Sequence, residues 1–265
     1  MAGPRDQYLR EMHERFGYLA TWIPTIRIQL GDVGVIRGHE YSRVTTLKEE
    51  NIDFDTRSDK NTSDLQYFSS DSVSIQLEGK SSLAGAIAIL GEAATGITIE
   101  FQRANAVLFQ ASGCHSSAIL NQDKLARQIL ERHEKDGWPS EYFIITEIVK
   151  AESATIFISS GEGGRVELIA QGNMVIDQFK LADLNAGLKV ARSVNIGTTV
   201  VAQAGLTPLF KARGIKRRFL RKPVFRYRGE ANPMIPSPAQ PNDSGITFEE
   251  LSLEDVLSIG GQPGR

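Results

Sequence analysis

Cys114 and His115 are the one place in this sequence where a nucleophile and a base are neighbours. A thiolate beside an imidazole can attack an acyl group or hold a metal ion. Catalytic pairs usually meet in space rather than in sequence, and a single cysteine is more often a small buried side chain. His13, His39, His115 and His133 show no ligand spacing among themselves or with Cys114, so no zinc site is expected. Gly161, Gly163 and Gly164 join two strand-like segments and do not open a helix, so they fail the context of a phosphate cradle. No Ser/His/Asp arrangement stands out. The expectation is a protein that is not an enzyme and uses no metal or cofactor.

Charge is the stronger signal. Between Lys211 and Arg228 stand Lys211, Arg213, Lys216, Arg217, Arg218, Arg221, Lys222, Arg226 and Arg228, with no acid among them. Three readings are open. The run is a solvated surface segment, or it meets anionic lipid, where each cation near the surface contributes about 1 kcal/mol, or it meets nucleic-acid phosphates. Phe210, Phe219, Phe225 and Tyr227 interleave with the cations and suit either polyanion. The acidic end of the chain can also neutralise the run within the molecule.

The rest of the chain must position these groups. Its 265 residues fit one large domain or two small ones, and a net charge of −2 with 23% charged residues is ordinary for a globular protein. One cysteine permits no internal disulfide, which suits a reducing compartment. The longest apolar and small run, Leu83–Leu90, is far short of the roughly 18–20 residues of a membrane helix. A polar start without a signal sequence points to a cytoplasmic protein. Alternating hairpins would still escape a hydropathy scan.

Alternation is what this sequence offers. Val166, Leu168 and Ala170 share one side, against Arg165, Glu167 and Ile169; Leu188, Val190, Val194 and Ile196 share another. Tyr142–Lys150 and Ala154–Ser159 read as two strands, and the glycines at 161–164 as a hairpin turn into 165–170. Val73, Ile75 and Leu77 alternate as well, and Ile97–Phe101 with Ala106–Ala111 read as a strand pair around Asn105. Pro4 and Gly17 bracket a helix over 4–16, with Tyr8, Leu9, Met12 and Phe16 on one face. Tyr18–Ile28 reads as an edge or irregular strand, and Asp32–Ile36 as a short one. Thr46 and Glu49 have capping-box spacing for a turn or two of helix. Asn51–Asp64 reads as a loop. Asn121 caps a helix over 122–136, with Leu125, Ile129, Leu130 and His133 inward. Prolines 233, 236, 238 and 241 mark an extended linker. Beyond it, Thr247 and Glu250 repeat the capping-box spacing, with Leu251, Val256 and Leu257 opposite Glu249, Glu254 and Asp255. The expected fold class is α+β: a twisted, mainly antiparallel sheet flanked by a few helices, with a short C-terminal helical tail.

Lys124–Ile158 carries a resemblance. A helix, a glycine-containing turn, then Tyr-Phe-Ile-Ile-Thr-Glu-Ile-Val-Lys and a second alternating strand resemble the pore-forming domain of gasdermins. The N-terminal helix, Ile23-Pro24, the Gly/Ala-rich stretch at 83–96 and the late strands to Phe210 follow the family's order. The cysteine near the N-terminus that bacterial members commonly carry has no counterpart; Cys114 lies far from it. The resemblance implies a pore-forming domain at 1–229, a linker at 230–245 and an autoinhibitory segment at 246–265. It implies that a protease cuts the linker, and that the freed domain leaves the cytoplasm, oligomerises in the cell's inner membrane and kills the cell in antiphage defence. The intact chain is expected to be a monomer.

The resemblance also distributes roles. Lys211, Arg213, Lys216, Arg217, Arg218, Arg221 and Lys222 would meet anionic lipid. Leu251, Val256 and Leu257 would make the inhibitory contact. Val73–Phe109 and Ile144–Val201 would hold the latent membrane hairpins, through Val73, Ile75, Leu77, Ile97, Ile99, Phe101, Ile156, Ile158, Val166, Leu168, Val190 and Val194. The alternative function is a nucleic-acid or other polyanion-binding α+β module using 211–228; a third is a β-rich ligand- or partner-binding domain with the tail as a docking helix.

Overall fold

The structure, a computed structural model, describes residues 3–37, 40–77, 88–89, 95–170, 175–176, 181–182, 187–217 and 245–259. Helix α1 (Pro4–Phe16) opens on the proline, whose missing N–H suits a first turn. It closes on Gly17 at φ 72°, a left-handed conformation that glycine adopts without a side-chain clash. Tyr8, Leu9 and Met12 are buried, as their spacing on one face requires.

Two long strands make the spine. The expected pair Tyr142–Lys150 and Ala154–Ser159 is a single strand, Phe143–Ser159, paired antiparallel along its length with Ile196–Arg217. The second of these also runs on past Phe210 into the basic run. In chain order the strands are β1 (Leu19–Ala20), β2 (Asp32–Arg37), β3 (Glu40–Thr46), β4 (Thr56–Ser58), β5 (Ser63–Phe68), β6 (Val73–Leu77), β7 (Ala88–Ile89), β8 (Thr95–Phe101) and β9 (Val107–Ile119). After helix α2 (Gln122–Glu134) come β10 (Phe143–Ser159), β11 (Gly164–Ala170), β12 (Val175–Ile176), β13 (Lys189–Val194), β14 (Ile196–Arg217), β15 (Ile246–Glu250) and helix α3 (Leu253–Ile259). This is an α+β protein with mainly antiparallel sheets.

Among the described residues the strands form three sheets, not one. The main sheet has nine strands around β10 and β14: β9 and β2 flank β10, while β1 and β15 flank β14. The second sheet has four, in the order β13-β11-β8-β6. It consists of two hairpins side by side, β6–β8 and β11–β13. A two-stranded sheet of β7 and β12 joins the connections of those two hairpins.

This topology corrects several expectations. The glycine turn at 161–164 does not close a hairpin; it carries the chain from β10 in the main sheet to β11 in the second. Ile97–Phe101 and Ala106–Ala111 do not pair with each other either, because β8 joins the second sheet and β9 the main one. Asn51–Asp64 contains β4, which pairs with the end of β9. Thr46 Oγ1 accepts the Glu49 N–H at 3.1 Å and the Thr46 hydroxyl donates to the Glu49 carboxylate at 3.1 Å, so only half of the capping box forms; β3 ends at Thr46, Asn51 takes a positive φ, and a turn forms instead of a helix. Asn121 makes no side-chain cap; its Oδ1 accepts the Asp55 N–H at 3.2 Å. On β13 a register shift opposite Glu167 and Leu168 skips Ala191, so Val190 and Val194 lie on opposite faces, and both are exposed. β5 and β6, consecutive in the chain, belong to different sheets.

Alternation sorts the core. On β9 and β10, Val107, Phe109, Ala111, Ala154, Ile156 and Ile158 face α1 in one cluster. Leu108 and Phe157 face the second sheet in another, with Ile97, Ile99, Phe101, Val166 and Leu168. The expected membrane residues therefore divide: Ile156 and Ile158 belong to the main core, the others named on β8 and β11 to the second. A third cluster holds α2 through Leu125 and Ile129, together with Trp138 and Ile144.

Candidate functional site

One feature that gathers several of the singled-out residues is the segment 246–259 seated on β14. Thr247 and Glu250 do not start a helix. They lie in β15, which extends the main sheet by pairing Ile246–Glu250 with Arg217–Arg213. The helix that follows has a different box: Ser252 Oγ accepts the Asp255 N–H at 3.2 Å, while Asp255 Oδ2 accepts the Ser252 N–H at 2.6 Å. The tail is thus a strand followed by a helix, not a helix alone.

This unit grips both faces of the sheet. Phe248 enters the α2 cluster; Leu253 and Val256 enter the α1 cluster at 5% and 7% exposure. Leu251 and Leu257 pack against the α1 cluster, partly buried. Of the three expected contacts Val256 is the most deeply placed, and sequence reasoning missed Phe248 and Leu253. For Phe248 the strand register was the missing signal, because residues read on a helical wheel were arranged with period two; Leu253 lies on α3. Arg5 of α1 adds a bond of 3.3 Å from Nη2 to the Val256 carbonyl.

The basic residues on β14 are partnered. Lys216 Nζ lies 2.6 Å from Asp255 Oδ2 in α3. Arg213 stands over the Phe248 ring at 5.7 Å. Lys211 lies 3.6 Å from Glu147 Oε2 and 5.0 Å from the Tyr18 ring centroid. The Tyr18 hydroxyl donates to the same Glu147 carboxylate, and partial burial, then that carboxylate, pushes the phenol pKa up. Partial burial pushes the Asp255 carboxyl up, but the Lys216 ammonium and the Ser252 N–H and hydroxyl outweigh it, and the net pKa is lowered. Arg217 pairs through its backbone with Ile246. Arg218, Arg221, Lys222 and the linker prolines lie outside the described residues, as does nearly all of the Gly/Ala-rich stretch at 83–96.

The first hairpin is tied down at its root. Glu11, buried on α1, receives Arg103 Nη2 at 2.8 Å, Ser69 Oγ at 2.6 Å and Gln7 Nε2 at 2.7 Å. Arg103 also donates to Ser72 at 3.0 Å, and Ser69 Oγ accepts the Val107 N–H at 2.7 Å. Ser69–Ser72 and Arg103 precede β6 and follow β8, so this network fixes both ends of the first hairpin to α1. The outer face of the second sheet carries Glu100, Arg165 and Glu167, with Arg165 paired to both acids at 3.4 and 3.1 Å.

The other candidate chemistry resolves simply. Cys114 is 3% exposed, and burial, then Asp64, pushes its thiol up to about 12, so it stays protonated at neutral pH. His133 Nδ1 lies 2.7 Å from the Trp138 carbonyl and His13 Nδ1 3.3 Å from that of Tyr18, both just past helix ends. Among the described residues no group of three His, Cys, Asp or Glu side chains is placed to hold a metal ion, and no helix is long and apolar enough to cross a membrane.

No protein-family model and no curated protein matches this chain. Among solved structures it is similar to the gasdermin A3 membrane pore, at 11% identity over 83% of this chain and 92% of that one, with a TM-score of 0.35. It is also similar to a bacterial gasdermin from Bradyrhizobium tropiciagri, at 11% identity over 80% of this chain and 87% of that one, again with a TM-score of 0.35.

Proposed function

We propose that this chain is an autoinhibited pore-forming protein, released when a protease cuts the linker before its tail. The observation that carries the reading is the tail itself, a strand–helix unit on the basic edge of β14 that follows a proline-rich stretch. Its side chains engage Arg213 and Lys216, two of the cations that would meet lipid, and it completes two apolar clusters. The β14 and β15 ends at Arg217 and Ile246 are register partners, although residues 218–245 separate them in sequence. A tight hairpin needs only two residues in its loop. The excess length is what a cleavable segment requires.

The hairpins supply the second half. A strand crossing a bilayer needs about 9–11 residues. The hairpin strands have 5, 7, 7 and 6 residues, so on release they would lengthen into 78–94 and 171–188. Ile97, Ile99, Phe101, Val166 and Leu168 would exchange a protein core for lipid tails. Glu100, Arg165 and Glu167 would line water, the polar-in, apolar-out arrangement of membrane barrels. The resemblance of Lys124–Ile158 to the gasdermin strand pattern supports the same reading, with oligomerisation in the inner membrane and death of an infected cell as its outcome.

The test is to insert a specific protease site within 233–242, cut it, and add the protein to dye-loaded vesicles containing anionic phospholipid. The cut protein should release dye and the intact protein should not. Equal retention of dye by both would overturn the reading.

A further inference from the structure

A strip of polar side chains crosses the otherwise apolar face of β9 and β10. Gln110 and Thr155 are cross-strand partners, as are Ser112 and Ser153, and alternation puts all four on the face covered by the second sheet. Thr155 is 0% exposed; Gln110 and Ser153 are buried too. Their neighbours on this face, Leu108 and Phe157, belong to the apolar cluster. Buried polar groups in such a place are disfavoured unless they meet a partner that needs them.

The partner is backbone. Leu181 and Ala182 belong to the connection between β11 and β13, and both are buried against this face. The Leu181 N–H donates to Gln110 Oε1 at 2.7 Å, and its carbonyl accepts from Thr155 Oγ1 at 2.5 Å. The Ala182 carbonyl accepts from Ser112 Oγ at 3.2 Å. Thr155 does double duty. Where β14 bulges against β10, Ala202 takes a φ of 43° and its N–H donates to the same Thr155 hydroxyl at 2.8 Å. One hydroxyl therefore ties the connection, β10 and β14 together.

We propose that Gln110 and Thr155, with Ser112, form a latch that holds the connection of the second hairpin on the main sheet and gates its release. This rests on the pore-forming reading for its purpose, but not for its chemistry. The connection also carries β12, which pairs with β7 of the first hairpin's connection, so one latch restrains both hairpins. Opening it leaves three backbone groups and three side chains without these bonds. Release is therefore coupled to wetting of that strip. Among the described residues the buried Ser153 hydroxyl has no hydrogen-bond partner, and a water entering there would have its first donor and acceptor waiting.

The test uses the intact chain and three variants: Gln110→Leu, Thr155→Val and the conservative Thr155→Ser. Amide hydrogen exchange is followed at Leu181 and, as a control for global stability, at Ile156 and Phe157. In Gln110→Leu and Thr155→Val the Leu181 amide should exchange at least tenfold faster, with the control amides unchanged. Thr155→Ser should match the wild type. Each protein is then cut in the linker and added to anionic vesicles, where Thr155→Val should release dye several-fold faster than wild type. A folded Thr155→Val protein whose Leu181 amide stays protected overturns the latch. So does one whose amide opens while its leakage rate stays at the wild-type value. If the cut wild type releases no dye, the pore-forming reading fails, and the exchange measured on intact protein still decides whether the latch exists.

Discussion

Two ion pairs illustrate how differently a charge can matter here. Lys216–Asp255 is short, but about a third of the Asp255 side chain and a quarter of the lysine's remain exposed. A pair of that kind contributes about 0.2–1 kcal/mol. Asp255→Asn should therefore weaken tail docking only slightly at neutral pH, which exchange of the β15 amides would measure. Its pH dependence has a definite sign. The Asp255 pKa is lowered in the folded chain, so its contribution is present above the ordinary carboxylate value of about 3.9 and is lost as pH falls through the folded one. Between pH 7 and 5 the pair should leave docking unchanged. Glu11 is the opposite case. It is 7% exposed and receives three side-chain donors. Glu11→Ala would leave Arg103 and Ser69 without their acceptor and should destabilise the protein by about 2–3 kcal/mol, read as a lower midpoint in urea unfolding. Neither role is visible in the sequence, where both are single acids among many.

At the scale of the element, the tail decides by apolar contact and strand pairing. Each of Phe248, Leu253 and Val256, fully buried, contributes roughly 1.5–3 kcal/mol, several times the Lys216–Asp255 pair. The double variant Leu253→Ala, Val256→Ala should free the tail while leaving α2 and the main sheet folded. Trypsin sensitivity at Arg213 and Lys216 would report it, since both lie on the edge that β15 covers. Unchanged protection there would argue against the apolar grip. Helices α1 and α2 were legible within two residues because their apolar faces and terminal signals are local. The tail was legible as a segment but not as a strand, because a five-residue strand and a short helix leave similar apolar marks until a partner edge selects between them.

For the whole molecule, the prediction follows from the proposed autoinhibition. Deleting residues 243–265 should make expression toxic to the host cell, scored as loss of colonies on induction against the full-length chain. Combining the deletion with Glu100→Lys, at a position on the outer face of the second sheet, should leave toxicity in place. Replacing Ile99, on the inner face, with Asp should abolish it, because that face would meet lipid. Healthy growth of the simple deletion would contradict the proposal.

Sequence by itself determined what depends on neighbours a few residues apart. The helix at Pro4–Phe16, the alternation of β8 and β11 and the basic run all follow from local spacing. It also determined that Cys114 and the histidines form no spaced ligand set. Only the tertiary structure decided which strands pair. Nothing local tells Ser159 that the next strand leaves for another sheet, or that β8 and β9 part at Asn105. Those choices belong to long-range packing, where Leu108 and Phe157 face one core and Phe109 and Ile156 the other. The polar strip of Gln110, Ser112, Ser153 and Thr155 is the clearest instance. In sequence it is four unremarkable residues on two strands, and it acquires a purpose only when a distant backbone is laid across it.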